Sequence, residues 1–444
     1  MRRPLSLVAY SFLLFGSNVQ AEDKKPSPER IAAVDKVIGA ELVNLVDLYK
    51  DLHAHAELSL MEEKTSVKMA KELQKLGFEV TTKVGGHGVV GVFKNGAGPT
   101  ILVRTDMDGL PVIEKTGVPY ASKEMVRDRT GREVGTMHAC GHDVHMTCWT
   151  GTARTLIAMK DQWQGTLLFI AQPAEEIGAG AKMMINDGLF KRFPKPDYCF
   201  ALHADALGEV GQVYYSDGLA MANVDTMEVL VKGRGGHGAA PHTTVDPIVL
   251  AAKIVLDLQL IISRERNPVE PAVITVGSIH GGTKSNIIPS DVKLQMTIRS
   301  TTDVMRKNMI DSINRVCKAA AVGMRAPEPE FTYFPDEFTP KLVNESKLTK
   351  KTTALFRDIL GEDKVHERPP MMGGEDFSRY ANGGEIPIFM YFLGTIDNAR
   401  VEAAKKEGIS LPSMHSDSFW PTPEPTIKTG VQTLSLAVLN LMGK

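Results

Sequence analysis

The spacing of apolar residues predicts helices that alternate with buried strands in the first half of the chain. Apolar side chains recur every three or four residues over residues 38–49 and 64–76, a spacing that is typical of amphipathic helices. Residues 100–103, 165–171 and 197–202 are instead short, mostly apolar runs with the length of buried strands. We therefore predict an α/β fold with a mostly parallel sheet that is flanked by helices.

The pattern changes after about residue 220. The predicted elements follow there in the order strand, helix, strand, strand, helix, strand, over residues 227–232, 247–263, 272–279, 292–299, 302–324 and 331–334. This order is that of the ferredoxin-like, split βαβ arrangement. We predict an inserted α+β domain at residues 220–335, between two parts of the main domain at residues 30–219 and 336–444.

The second part of the main domain has a simpler pattern. Residues 342–360 and 426–442 are predicted to be helices, and residues 386–392 are predicted to be a buried strand. A helix is also predicted over residues 146–159 in the first part.

The N-terminus has the features of a secretory signal peptide. Two arginines precede an apolar stretch over residues 5–15, and Val19-Gln20-Ala21 has the small-x-small form of a cleavage site. We predict that residues 1–21 are removed after Ala21 and that the protein is secreted or periplasmic. The apolar stretch is too short to favour an uncleaved anchor, so we expect no stable membrane attachment.

Composition excludes some classes of function. The 444 residues carry 51 Lys and Arg against 53 Asp and Glu, without a basic run, so we expect no nucleic acid partner. The 4 cysteines do not have the spacing of a small disulfide scaffold. We expect Cys140 to be a metal-bound thiolate, and Cys148, Cys199 and Cys317 to be buried thiols.

Metal-binding residue types cluster in the segment Met137-His138-Ala139-Cys140-Gly141-His142-Asp143. Thiolate and imidazole are ligands of borderline transition metals. Cys140 and His142 can reach one ion only if the backbone between them turns tightly, and Gly141 permits such a turn. A single Cys or His is more often a structural residue, but the density of this cluster favours a metal site.

Further polar residues follow the predicted strands. Asp106 and Asp108 follow the first strand, Glu175 and Glu176 the second, and His203 the third. Ligands in such sheets bind beyond the carboxyl ends of the strands.

His415, in Ser413-Met414-His415-Ser416, completes a set of five potential ligands: Cys140, His142, Glu176, His203 and His415. Five ligands suffice for two metal ions that share a bridging water, and Glu175 would then be the general base.

Several motifs give the chain a family resemblance. From about His53 to the C-terminus it resembles the metal-dependent amidohydrolase branch of the aminoacylase/carboxypeptidase peptidases. That branch includes hippurate hydrolases, N-acyl-amino-acid amidohydrolases and plant indole-acetyl-amino-acid hydrolases. The resemblance rests on His53-Ala54-His55-Ala56-Glu57-Leu58-Ser59, Arg104 to Pro111, Met137 to Asp143, Gln172 to Glu176, Gly235 to His242, Gly374-Glu375-Asp376-Phe377 and His415 to Phe419.

The resemblance implies roles for individual residues. It places the same five residues at the metal positions and Glu175 at the general base. Asp106 matches an aspartate that supports the metal site, with Asp108 as the nearby alternative. His237 matches a histidine that binds substrate or oxyanion, often from the partner subunit of a homodimer.

Six further assignments are less direct. Asn286 and Arg299 match residues that contact the carboxylate end of the substrate, although a buried asparagine and a surface arginine would explain them equally. His138 and His145 are expected to have structural roles or to support the ligands, as is His242. Asp376 would either buttress the site or cap a helix.

Together these features predict an exported amidohydrolase that cleaves the amide bond of N-acyl or N-aroyl amino acids, or of related dipeptides. Its cofactors would be two divalent ions, zinc or manganese, with cobalt or nickel also compatible with the ligands. One alternative is a metal-containing binding protein without catalysis. Another is a cysteine hydrolase with Cys140 as nucleophile and His142 as base.

Overall fold

The computed structural model describes residues 26–443. Helix α1 begins two residues before the predicted domain start at residue 30, because the Ser27 side chain accepts a hydrogen bond from the backbone N–H of Arg30. The predicted signal peptide lies outside the described residues. Within the described residues the α-helices are α1 (Pro28–Ala54), α2 (Glu63–Lys75), α3 (His142–Ala158), α4 (Gly180–Asn186), α5 (Leu189–Arg192), α6 (Pro247–Leu260), α7 (Asp303–Gly323), α8 (Ser346–Leu360), α9 (Asn398–Glu407) and α10 (Pro423–Met442). None of these helices is both long and apolar enough to span a bilayer.

The strands of the described residues form one large sheet, one smaller sheet and three short pairs. They are β1 (Glu79–Val84), β2 (Gly88–Asn95), β3 (Thr100–Asp106), β4 (Met125–Arg127), β5 (Glu133–Gly135), β6 (Gly165–Gln172), β7 (Tyr198–Glu209), β8 (Val213–Tyr215), β9 (Gly218–Met221), β10 (Asn223–Lys232), β11 (Gly236–His237), β12 (Ala272–His280), β13 (Ile287–Ile288), β14 (Asp291–Ser300), β15 (Glu330–Tyr333), β16 (Leu342–Asn344), β17 (Val365–Glu367) and β18 (Ile388–Ile396).

The large sheet has the order β1-β2-β6-β3-β7-β18-β8-β17. Its central strands β6, β3, β7 and β18 run parallel, whereas β1 and β2 form an antiparallel hairpin that pairs with β6. In the central register Val103 lies opposite both Phe169 and Phe200. The predicted mostly parallel sheet is thus confirmed, but the hairpin was not predicted, because half of the β1 side chains are exposed and form no apolar run.

Helices cover both faces of the large sheet. Helices α1, α2, α3, α8 and α10 pack on one face, and α4, α5 and the 3₁₀ segment Asp376–Gly384 pack on the other. Every residue of β18 is buried, as expected of a parallel strand between two helical layers. The Trp149 side chain of α3 donates a hydrogen bond to the Val103 carbonyl of β3 at 3.1 Å and fixes this helix on the sheet.

The smaller sheet forms the inserted domain. Its order is β12-β14-β10-β15 with antiparallel pairing throughout, and the connections between its strands give the predicted ferredoxin-like arrangement. Helices α6 and α7 cover one face, where Met227, Leu250, Leu294 and Ile313 are fully buried. Along β10, buried and half-buried residues alternate, as a sheet with one covered face requires.

One predicted element is wrong in part. Residues 342–360 were expected to form a single helix, but Leu342–Asn344 is strand β16, paired with β9. The Asn344 side chain donates hydrogen bonds to the carbonyls of Ser216 and Met390, at 3.0 and 2.9 Å. Helix α8 begins only at Ser346, after Glu345 has capped it by accepting bonds from the Lys347 and Leu348 N–H groups.

Candidate metal centre

Three adjacent parallel strands carry acidic and imidazole side chains to the same edge of the large sheet. Strand β3 ends at Asp106, and β6 is followed by Glu175 and Glu176. His203 lies inside β7 and not at its end as predicted, because this strand continues to Glu209. Helix α3 begins at His142 above this edge, close to both glutamates. The carboxyl ends of the strands therefore form the site, as is usual in open α/β sheets.

The five residues that were predicted as metal ligands lie next to one another. Cys140 Sγ is 3.2 Å from His415 Nε2 and 3.7 Å from His203 Nε2. One carboxylate oxygen of Glu176 is 3.5 Å from His415 Nε2, and the other is 3.7 Å from His142 Nε2. A continuous row of ligand atoms thus runs from His203 to His142.

Two of these histidines are oriented by backbone carbonyls. His142 Nδ1 donates to the Asp108 carbonyl, and His203 Nδ1 donates to the Ala204 carbonyl, each at 2.7 Å. Because Nδ1 carries the proton in both rings, Nε2 presents a lone pair toward the centre. Metal-binding histidines are held in this way by partners outside the ligand set.

Two further observations indicate that the side chains of this row can bind metal ions. Among the described residues, His142 Nε2 and Glu176 Oε1 are buried atoms without a hydrogen-bond partner, although buried polar atoms are normally paired. Burial and the neighbouring Glu176 and Glu175 carboxylates raise the pKa of the Cys140 thiol well above its usual value. A thiolate at this position thus requires a cation beside it, and nucleophilic cysteines occupy the opposite kind of environment.

A glycine makes the tight turn before α3. Helix α3 begins four residues earlier than predicted, and Gly141 precedes it in the left-handed region at φ 78°. A Cβ on Gly141 would lie 2.7 Å from the Cβ of Ala204, the residue after His203. Glycine is therefore required here both by conformation and by the close approach of the ligand-bearing segments.

Two residues with side chains also adopt positive φ values at the centre. Ala174, immediately before Glu175, has φ 52°, and its N–H donates to a Glu62 carboxylate oxygen at 2.8 Å. His415 itself has φ 66°, and its N–H donates to the Ala139 carbonyl at 2.8 Å. Such strained residues persist where the surrounding structure holds them, most often at functional sites.

Asp106 and Asp108 support different parts of the site. Asp106 accepts a hydrogen bond from His145 Nδ1 at 2.7 Å, and its second oxygen lies 3.7 Å from His142 Nε2. The Asp108 carboxylate accepts bonds from the N–H groups of Glu175 and Glu176, at 3.1 and 3.0 Å. Both alternatives from the sequence therefore border the centre, Asp106 beside the imidazoles and Asp108 beneath the glutamate pair.

A buried arginine neutralises part of the negative charge. The Arg104 guanidinium lies 2.7 Å from Asp106, 2.8 Å from Glu375 and 3.2 Å from Asp376. Burial alone would raise the pKa of Asp106, but the Arg104 guanidinium holds it well below its usual value. Asp106 is thus a carboxylate at neutral pH.

Asp376 has both roles considered for it, since it buttresses the site through Arg104 and also caps the first turn of α4. Its oxygens accept bonds from the Gln172 side chain at 2.6 Å and from the Ala181 N–H at 2.9 Å. The preceding Glu375 caps the 3₁₀ segment by accepting from the Phe377 N–H.

Glu175 is a carboxyl group in an unfavourable environment for charge. Burial, Glu375 and Glu176 raise its pKa well above the usual range. Its Oε2 lies 3.9 Å from His142 Nε2, so it adjoins the ligand row. A carboxyl group with a raised pKa can accept and return a proton near neutral pH.

The inserted domain holds the remaining predicted residues away from the ligand row. His237 is exposed, and its Nδ1 accepts from the Ala239 N–H at 3.0 Å. Asn286 is exposed as well, not buried, whereas Arg299 is half-buried and donates to the Met372 carbonyl at 2.7 Å. Within residues 26–443, no hydrogen bond or ion pair joins these three side chains to the five ligands.

Sequence reasoning missed two supporting residues, Glu375 and Glu62, whereas His145 has one of the two roles that were expected of it. His145 is a buried neutral histidine, since Nδ1 donates to Asp106 and Nε2 accepts the Ala204 N–H; burial lowers its pKa to about 3. Glu375 pairs with Arg104, and Glu62 holds the Ala174 peptide. The signal for Glu375 was its position beside Asp376 in the motif Gly374-Glu375-Asp376-Phe377. Glu62 has no sequence signal, because only the fold brings it to the Ala174 peptide.

The α/β fold and the cluster of thiol, imidazole and carboxylate groups together define a metal-dependent hydrolase. The chain belongs to the peptidase family M20/M25/M40, whose family model matches residues 102–417. This confirms the family resemblance of the motifs.

Relatives and a solved structure agree with this assignment. The chain is 35% identical to thermostable carboxypeptidase 2 of Saccharolobus solfataricus, over 90% of this chain and 96% of the relative. It is 35% identical to N-acetylcysteine deacetylase of Bacillus subtilis, over 81% and 90% of the two chains. The structure of Bacillus subtilis YxeP, described as a dinuclear metal-binding peptidase of the M20 family, is similar with a TM-score of 0.72 and 29% identity, over 91% of this chain and 99% of YxeP.

The buried carboxyl group of Glu62 leads to a prediction about stability. Burial and the neighbouring Asp108 raise its pKa to about 8 from an unfolded value of 4.5. Between these values the folded state binds a proton that the unfolded state lacks, so the Glu62 contribution to stability falls as pH rises, by about 1.4 kcal/mol per pH unit. The variant Glu62→Gln should therefore gain about 2 kcal/mol relative to the unsubstituted protein between pH 5.5 and 7.5.

Urea unfolding of the chelated protein at the two pH values measures this difference. The control is Glu63→Gln, which changes the exposed neighbour and should shift stability equally at both pH values. An equal pH dependence of stability in Glu62→Gln and the unsubstituted protein would contradict the assignment.

Proposed function

We propose that this protein is a two-metal amidohydrolase that cleaves the amide bond of N-acyl or N-aroyl amino acids, or of related dipeptides. The observation that carries the proposal is the row of five ligand side chains beside the buried carboxyl group of Glu175. Relatives named as a carboxypeptidase and as an N-acetylcysteine deacetylase support amide cleavage next to an amino acid.

The proposed ligands are Cys140, His142, Glu176, His203 and His415, and the proposed ions are two divalent cations, zinc or manganese, with cobalt or nickel also compatible with these donors. Such ions supply a hydroxide near neutral pH and polarise the carbonyl that is attacked. The Asp108 and Ala204 carbonyls orient the ligands His142 and His203. Asp106 holds His145, which in turn accepts the N–H of Ala204, the residue after His203.

Glu175 is the proposed general base. Its carboxylate would take the proton of the attacking water and deliver it to the leaving amine, which departs as a neutral molecule. The Asp108 carboxylate accepts the Glu175 N–H at 3.1 Å and thereby restricts this segment. His237 would stabilise the oxyanion, and Asn286 and Arg299 would bind the substrate carboxylate.

A homodimer is the proposed assembly. Strand β12 is an edge strand of the inserted domain, and with α6 it forms an apolar groove of about 500 Å³ that is lined by Val255, Leu256, Val276 and Ile279. Leu256 is 70% exposed and Ile279 is 53% exposed. The backbone groups of an edge strand can pair with a strand of a second copy of the chain, and the exposed apolar side chains beside it would be buried in that contact.

Export is proposed from the N-terminal sequence, with residues 1–21 as the signal peptide and a secreted or periplasmic mature chain. In a Gram-negative host, protein recovered from the periplasm should begin at Glu22. N-terminal sequencing and mass spectrometry test this prediction. A chain that stays in the cytoplasm with Met1 in place would contradict it.

The variant Glu175→Gln should lower kcat by ~10²–10⁴-fold, because the amide cannot accept the proton of water. It should keep its two metal ions, since Glu175 is not one of the five ligands. Assays of N-acyl amino acids with metal analysis measure both quantities. Chelation should abolish activity, and added metal should restore it.

The matched control is Glu176→Gln, which should lose bound metal as well as activity. A protein that binds metal but hydrolyses no amide would instead be the non-catalytic binding protein. Activity that survives chelation would contradict the ligand assignment and revive Cys140 as a nucleophile.

A mixing experiment tests whether His237 acts on the site of the partner subunit. The variants His237→Ala and Glu175→Gln should each be nearly inactive alone. After subunit exchange, half of the dimers are mixed and each has one complete site, so about a quarter of the original activity should return. No recovery in a mixture that forms mixed dimers would show that His237 serves its own subunit or none.

A further inference from the structure

A buried histidine lies between two carboxylates outside the ligand row. His53, near the end of α1, is fully buried. Its Nδ1 is 2.7 Å from Asp143 Oδ2, and its Nε2 is 3.0 Å from Glu114 Oε1. Asp143 belongs to the first turn of α3, whereas Glu114 belongs to the long connection after β3. His53 therefore joins two segments that are distant in sequence.

Both ring nitrogens of His53 face acceptors, so the ring is a cation that donates two hydrogen bonds. Burial alone would lower its pKa, but the bonds to Asp143 and Glu114 raise that pKa to about 9. The Tyr49 hydroxyl lies 3.4 Å from Nδ1, and the Tyr120 ring packs edge-on against the imidazole. A buried cation between two anions is held in one geometry, because removal of either partner leaves a charge unpaired.

Through Asp143, His53 contacts the segment that carries Cys140 and His142. Asp143 directly follows His142, and its second oxygen accepts a bond from the Val144 N–H at 2.8 Å. Both oxygens of Asp143 are thus occupied, one by the helix backbone and one by His53. The first turn of α3 cannot rotate without breaking one of these bonds.

His53 is also linked to the segment that carries His415, through Glu114 and then through the next residue, Lys115. The Glu114 carboxylate also accepts from the Ser122 N–H at 2.6 Å and so holds the connection after β3. The next residue, Lys115, donates its N–H to the Asp417 carbonyl at 2.7 Å, and its Nζ lies 2.8 Å from the Asp417 carboxylate. Asp417 is two residues beyond His415, whose backbone is in the left-handed region.

We propose that His53 is a positioning residue that fixes the His142 segment and the His415 segment relative to one another through Asp143 and Glu114. It touches neither substrate nor ligand. The inference rests on the proposed function, since positioning matters only if these segments hold metal. The Cys140–His415 and Glu176–His415 distances would widen if the link were lost, while the fold would persist.

Cobalt titration of the chelated protein, followed by visible absorption, tests the proposal. His53→Gln should weaken cobalt binding by ~10–100-fold, as loss of groups that orient ligands does, and should change the absorption spectrum. With an N-acyl amino acid substrate, kcat should fall by about tenfold, with KM changed by less than about threefold. The matched control is His55→Gln, since the His55 side chain is 54% exposed and, within residues 26–443, bonds only to Asp51, one helix turn before it. This variant should bind cobalt normally.

A second variant separates positioning from folding. His53→Gln leaves two buried carboxylates without their cation, whereas His53→Gln with Glu114→Gln also removes one anion. The double variant should have the circular dichroism of the unsubstituted protein and still bind cobalt weakly. If the double variant does not fold, Glu114→Gln alone is the test. It removes the charge that holds the His53 cation and keeps the size of the side chain, so it should weaken cobalt binding several-fold.

The outcomes separate this proposal from the proposed function. A folded double variant, or a folded Glu114→Gln, with normal cobalt affinity and spectrum would overturn the positioning role. An unsubstituted protein that binds no cobalt would overturn the metal centre itself.

Discussion

Burial of carboxyl groups at one edge of the sheet is the constraint on which the site depends. Asp106, Asp108, Glu175, Glu375 and Asp376 are all less than a tenth exposed. Each unpaired buried charge costs several kcal/mol, so this arrangement needs cations or N–H donors at every oxygen. Arg104 serves three of these carboxylates, and backbone N–H groups serve others. Two divalent ions would offset the remaining negative charge. Metal binding would therefore stabilise the same buried carboxylates that Arg104 and the N–H groups stabilise in the folded chain.

The segments that carry the candidate ligands are held by hydrogen bonds to residues outside the ligand set. Asp108 holds the glutamate pair, and Glu62 holds the Ala174 peptide that precedes it. Carbonyl groups orient two imidazoles. These bonds are made within the main domain. The candidate ligands are therefore oriented within the main domain, whereas His237 and Asn286, which are proposed to meet the substrate, belong to the inserted domain.

Sequence pattern predicted much of the fold, because buried parallel strands are continuous apolar runs and amphipathic helices repeat every three or four residues. It predicted less where tertiary contacts overrode local preference, as at Leu342–Asn344, which pairs with β9. The five ligand residues could be proposed because strand ends and the Cys140–His142 spacing carry a chemical signal. The roles of Glu62 and His53 could not, since their partners, Ala174 and Asp143, are separated from them by 112 and 90 residues.

The separation of the ligand-bearing segments has a consequence for the order of assembly. His415 lies 275 residues beyond Cys140, with the whole inserted domain between them. Contacts between such distant residues form late, because closing a long loop costs entropy before the contact stabilises it. Cys140, His142, Glu176 and His203 all precede the inserted domain. The complete set of five proposed ligands would therefore form only when the chain is nearly folded, because His415 joins last. If the proposed ions bind there, which metal is acquired would depend on its availability where folding ends, as well as on ligand type and geometry.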